Sequence, residues 1–273
     1  MKSCITLSLV PSLRGGPWIL WDELQVGLRK AADFGFEAVE LFTAEPVAGK
    51  PNELAQLLNQ YELTLGAVGT GAGKVLHGLT LTDKDPSIRK KAKEFVTQMI
   101  TFGADFNAPA IIGSMQGNHG DGVTAEEANE YLAEALNELG EQAAQRGTFL
   151  IYEPLNRYET NLFNRFEPAA NFLDNLDTSG VRLLADLFHM NIEERDLASS
   201  LRAGGRHLGH VHFADSNRRP IGCGHTNVQP IAQTLKDLNY QGCISAEAFD
   251  WPDPDAAARQ TIDSYNKFFG NER

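Results

Sequence analysis

Strict alternation constrains this chain more than any other feature. Across 273 residues, eight short apolar runs are separated by segments with helical periodicity. The runs are Cys4–Val10, Ala38–Phe42, Thr64–Thr70, Ala108–Ser114, Thr148–Pro154, Val181–His189, Leu208–Asp215 and Cys243–Phe249. Between them, segments such as "WDELQVGLRKAADFG", "SIRKKAKEFVTQMITFGADF", "TAEEANEYLAEALNELGEQAAQRG" and "DPDAAARQTIDSYNKFFG" read as amphipathic helices. Thr124 followed three residues later by Glu127 has capping-box spacing. Strands apolar throughout are buried on both faces, and parallel strands need helical crossovers, so alternation predicts a parallel sheet. Eight units in this length predict an α/β fold, a single (β/α)8 TIM barrel over residues 1–273. The alternative, an open doubly wound sheet, carries a G-x-G-x-x-G turn after its first strand. "PSLRGGPW" lacks that spacing. "GTGAGKVLHG" looks like a P-loop, but Val68 and Val75 stand where glycine and Ser or Thr are required.

Composition narrows the partners. A formal net charge of -12 opposes the basic faces that grip nucleic acid or anionic membranes. No apolar run approaches the ~18 residues of a membrane span. The segment "MKSCITLSLVPSLRGG" has a weak likeness to a signal peptide but lacks its cleavage signal, and reads as a first strand, Ile5–Val10. The 3 cysteines, Cys4, Cys223 and Cys243, are widely spaced and fit a reducing compartment, the cytoplasm.

Chemistry in a closed barrel gathers at the C-terminal ends of the strands. The fifth run, in "FLIYEPLNRYET", ends in Glu153, a carboxylate that cannot be buried there without a partner. The sixth carries Asp186 in "LLADLFH", the seventh His212 in "HVHFAD" and the eighth Glu247 in "SAEAF". Read singly, each is a structural ion pair, a cap or a core histidine. Together they put three anions beside one imidazole at one barrel mouth, where the acids repel unless a cation holds them. Three oxygens and one nitrogen suit one divalent ion, Mn2+ first, with Mg2+ or Co2+ next and Zn2+ also accommodated.

"EPLNRYETN", "ADLFHMNIEE", "HFADSNRRPIGCGH" and "SAEAF", in that order, resemble the motifs of the xylose-isomerase-like barrel superfamily of sugar isomerases and epimerases. The similarity is closest to its ketose 3-epimerase branch, including D-tagatose, D-allulose and 5-keto-L-gluconate epimerases. It spans the chain and is sharpest from Glu153 onward, and "AVGTGAGKVLHGLTLTDKDPSIRKKA" resembles the keto-gluconate group. The resemblance implies metal ligation by Glu153, Asp186, His212 and Glu247. It implies substrate contacts from Glu159, His189 and Arg218, with Glu153 and Glu247 doubling as the acid–base pair. The implied reaction is 3-epimerisation of a ketose or keto-sugar acid through a metal-stabilised enediolate, by an assembly of two or four copies. Arg218 and Arg219, with Arg157 and Lys74 expected nearby, hint at a substrate carboxylate.

Other readings remain open at this level. An endonuclease IV-like phosphodiesterase shares the barrel and would recruit His77, His119, His189 and His225 to a zinc cluster. A dehydratase acting on a keto-inositol would use the same enolate chemistry and expel water. A sugar-binding barrel without turnover is a third. His210 shares strand parity with His212 and is expected one layer deeper. Trp18, Trp21, Phe163 and Trp251 are expected to serve packing rather than a pocket wall.

Overall fold

The computed structural model describes residues 1–46 and 51–270. Eight parallel strands close into a ring in sequence order, β1 pairing with β8. They are β1 (Lys2–Ser8), β2 (Ala38–Phe42), β3 (Thr64–Gly69), β4 (Ala110–Ile112), β5 (Leu150–Tyr152), β6 (Val181–Asp186), β7 (Leu208–His212) and β8 (Cys243–Ala246). The α/β class and the closed (β/α)8 barrel are as the alternation predicts.

The helices are α1 (Leu24–Phe34), α2 (Pro51–Gln60), α3 (Ala72–His77), α4 (Pro86–Ala104), α5 (Ala125–Gln145), α6 (Phe166–Leu173), α7 (Leu187–Glu193), α8 (Leu197–Gly204), α9 (Val228–Asp237) and α10 (Pro254–Phe269). Two of them, α3 and α7, are short additions on the loops after β3 and β6. The run read as one strand from Val181 to His189 is a strand only to Asp186, and α7 begins at the next residue. At α5 the capping box forms: Glu127 N–H donates to Thr124 Oγ1 at 3.2 Å, and Thr124 N–H donates to Glu127 Oε2 at 2.8 Å.

The pleat sorts residues into two cores. Ile5, Leu7, Val39, Leu41, Val68, Ile112, Leu150, Tyr152, Leu183, Val211 and Ile244 pack outward with the helices. Residues of the opposite parity, Ala67, Ile111, Ile151 and Leu184, form a separate small cluster inside the ring. One further step of two residues carries Ile111 to Gly113, Ile151 to Glu153 and Leu184 to Asp186. The same parity carries His210 to His212 and Ser245 to Glu247. Strand periodicity alone therefore turns these side chains onto the barrel axis at its C-terminal mouth.

Candidate active site

Glu153, Asp186, His212 and Glu247 come together. One ligand-type atom from each lies within 4.8 Å of the others. His212 Nδ1 is central: it stands 3.4 Å from Asp186 Oδ2, 3.5 Å from Glu153 Oε1 and 3.6 Å from Glu247 Oε2. Glu153, Asp186 and His212 are buried. Among the described residues Glu153 Oε1 has no hydrogen-bond partner despite its burial. Burial pushes the Glu153 carboxyl up to about 8, aided by the charges of Glu247 and Asp186 and opposed by His212. Asp186 is also buried, yet His189, His212 and Arg218 hold its carboxyl below the usual carboxylate range. Burial depresses His212, but Glu40, Glu247, Asp186 and Glu153 outweigh it and hold the imidazole well above its ordinary value. An acidic cluster with an orphaned oxygen and hard donors fits a divalent cation.

Local geometry explains each placement. Asp186 closes β6 and caps α7, its Oδ1 accepting from the N–H groups of Phe188 at 2.7 Å and His189 at 3.2 Å. Its other oxygen is left for the cluster. Beside Glu153, Gly113 has no side chain for a physical reason: a Cβ there would stand 2.5 Å from Glu153 Oε2. Gln116 pins the strand end, its amide donating to the Glu153 carbonyl at 2.9 Å.

Glu159, His189 and Arg218 stand around the same cavity of about 210 Å3. The buried His189 ring has a defined tautomer. Its Nδ1 faces the Asn156 side-chain amide at 2.7 Å and backbone N–H at 3.3 Å, both donors, so Nδ1 accepts and Nε2 carries the proton. That Nε2 has no hydrogen-bond partner among the described residues and lies 3.6 Å from Asp186 Oδ2 and 3.9 Å from Glu153 Oε1. Arg218 adopts a left-handed backbone, φ 58°. Its Nη2 donates to Glu247 Oε2 at 2.6 Å, and Nη1 lies 3.6 Å from Glu159.

Two expectations are corrected. Trp18 lines the cavity and stacks on Phe42 with ring centroids 4.0 Å apart, so it is a pocket wall as well as packing. Trp21, Phe163 and Trp251 do not line the cavity. The expected group of cations for a substrate carboxylate does not assemble. Arg157 forms a bidentate pair with Glu193, Arg219 lies over the Trp251 ring, and Lys74 is not among the lining residues. Arg157 is held by an acid and Arg219 by an aromatic face, neither of which lines the cavity.

Sequence reasoning missed Glu40 on β2. It is buried, lines the cavity floor, and bonds His210 at 2.8 Å and His212 at 3.2 Å. The signal was present in "AVELF", an acid within an apolar strand. Among the described residues, His77, His119 and His225 join no candidate metal-holding group.

Comparison with known proteins gives a consistent picture. A family model described as "Xylose isomerase-like TIM barrel" matches residues 28–268. An L-ribulose 3-epimerase from a Methylomonas species is 30% identical over 244 residues, 86% of this chain and 84% of that protein. A D-psicose 3-epimerase from Ruminiclostridium cellulolyticum is 29% identical over 231 residues, 81% of this chain and 77% of that protein. A solved structure of D-psicose 3-epimerase with D-tagatose, from Clostridium cellulolyticum, superposes with a TM-score of 0.82. It is 24% identical and covers 98% of this chain and 99% of its own, a likeness of fold.

Proposed function

Because the chain belongs to the xylose isomerase-like TIM barrel family, we propose that it is a carbohydrate epimerase that inverts C3 of a ketose. The observation that carries this reading is the convergence of Glu153, Asp186, His212 and Glu247 on one point of the barrel mouth, with Glu153 Oε1 unpartnered. Those four residues would hold one divalent cation, and their hard donor set favours Mn2+. When bound, the cation supplies Lewis-acid chemistry, easing the growth of negative charge on a carbonyl oxygen.

The remaining work falls to the chain. Glu153 and Glu247 come from strand ends three apart around the ring, which suits them to opposite faces of a bound sugar. One takes the C3 proton, leaving an enediolate of the substrate. The other gives a proton to the opposite face of that carbon. The two carboxyls then exchange protons with water to reset. A positioned acid or base of this kind contributes about 10²–10⁴-fold in rate. His189, through its Nε2–H, and the Arg218 guanidinium border the same cavity, which suits them to donate to oxygens where charge develops. Glu159 borders the same cavity and accepts from Asn156 at 3.2 Å, which suits it to a substrate hydroxyl.

The absence of unassigned histidines from the cluster speaks against a multi-zinc phosphodiesterase. The test is incubation of Mn2+-loaded enzyme with a panel of ketoses and keto-sugar acids in D2O, followed by NMR. Deuterium at C3 together with the C3 epimer is expected. Deuterium at C1 with aldose formation would make it an aldose–ketose isomerase. Loss of water would make it a dehydratase.

A further inference from the structure

Glu40 lies on β2, three strands from β7 around the ring, and its carboxylate is buried. A buried carboxylate is tolerated only when both oxygens are well bonded. Here Oε2 is 2.8 Å from His210 Nε2 and Oε1 is 3.2 Å from His212 Nε2. The two rings sit 5.5 Å apart at 82°, so the carboxylate cannot rotate without losing one of them. An ionised carboxylate only accepts, so each Nε2 carries its proton. In a singly protonated ring the lone pair is then on Nδ1. For His212 that is the atom facing Asp186, Glu153 and Glu247.

We propose that Glu40 is a positioning residue that fixes His212 in its Nε2–H tautomer and so presents Nδ1 to the cation, with His210 locking the Glu40 carboxylate in turn. This rests on the cation reading above. A carboxylate behind a ligating imidazole fixes its tautomer and ring orientation, and losing one typically weakens a metal site about 10–100-fold. Glu40 touches the cation only through His212, so its removal acts on metal affinity before it acts on the sugar.

The test combines two measurements on whole protein. The first is the Mn2+ dissociation constant by EPR titration. The second is long-range 1H–15N NMR of 15N-histidine-labelled, Zn2+-loaded protein, which assigns the proton and the metal to particular ring nitrogens. In the wild type, His212 is expected to carry its proton on Nε2 and the metal on Nδ1. Glu40→Leu should raise the Mn2+ dissociation constant roughly 10–100-fold. An unchanged dissociation constant in Glu40→Leu, or metal on Nε2 in the wild type, would overturn the proposal. If Glu40→Leu does not fold, Glu40→Gln decides. Its amide has one acceptor for two ring N–H groups, so wild-type tautomers at both histidines with wild-type Mn2+ affinity would sink the idea. Wild-type protein whose His212 signals ignore Zn2+ would instead remove the cation site itself, a separate failure.

Discussion

Glu153 shows most directly how one residue joins sequence to chemistry. An acid at the end of an apolar strand was legible because burial without a partner is costly. The same cost attaches to Glu40, but its partner His210 lies 170 residues away, and an acid flanked by valine and leucine gives no direction. Burial, with repulsion from Glu247 and Asp186, raises Glu153 from the ordinary 4.5 to about 8 in the metal-free protein. The folded value therefore exceeds the unfolded one. Its stability contribution is full below the ordinary carboxylate range and is lost as pH rises through about 8. Cation binding must displace that proton, and one from His212, so Mn2+ affinity should climb with pH over the same interval. Glu153→Gln should release about one proton fewer than the wild type on Mn2+ binding at pH 7, read by calorimetry in buffers of different ionisation heat. The same variant should stabilise the metal-free protein at pH 8 by something on the order of 2 kcal/mol while abolishing turnover. Equal proton release by both proteins would show that Glu153 is not the protonated member of the cluster.

At the scale of elements, β2 and the helix interiors were legible because their periodicity is unbroken over several residues. The junction of β6 and α7 was not. "VRLLADLFH" is a near-continuous apolar run, and periodicity cannot separate a short buried strand from the helix that follows it. Asp186 marks the boundary only through its capping bonds. The helix α3 is too short to declare a period and lies in a glycine-rich segment. The loop after β7 illustrates a different limit: its conformation is set by one buried acid. Asp215 accepts from the N–H groups of Ser216 at 2.7 Å, Gly222 at 2.8 Å, Gly224 at 2.8 Å and Thr226 at 3.0 Å. Those bonds hold the turn in which Arg218 takes its left-handed backbone. Asp215→Asn replaces one acceptor oxygen by a donor, so two backbone N–H groups lose their partner. Arg218 should then lose its aim at Glu247 and Glu159, lowering kcat/KM about 10–100-fold. The Mn2+ dissociation constant and the far-ultraviolet circular dichroism should stay as in the wild type. An unaltered kcat/KM would mean that the loop does not depend on Asp215 for its shape.

For the whole molecule, eight repeats of strand and helix were enough to read a closed barrel, since ring closure follows from counting units. The cavity walls were not readable, because Trp18, Phe42 and Gly113 come to line one cavity only after closure and none has a local signature. The assembled mouth concentrates negative charge, so a bound cation should stabilise the entire fold. At a Mn2+ concentration 100 times its dissociation constant the gain is about 2.7 kcal/mol. That corresponds to a Tm rise of roughly 5–8 °C for a domain of this size, reversed by chelator. Differential scanning calorimetry with and without chelator measures it, and an unchanged Tm would argue that the cluster holds no ion. One feature of the ring has an evolutionary reach. The carboxylate–imidazole cluster is drawn from strand ends β5 to β8, whereas Pro17, Trp18, Phe42, Thr70, Val75, Ile111 and Ser114 line the cavity from the earlier units. The amino-terminal half thus supplies most of the rest of the wall, while Leu155, Glu159, His189 and Arg218 complete it from the half that carries the cluster. New sugar preferences can be sought by exchanging or diversifying the amino-terminal half alone, and Glu40 is the residue from that half that such a graft must bring with it.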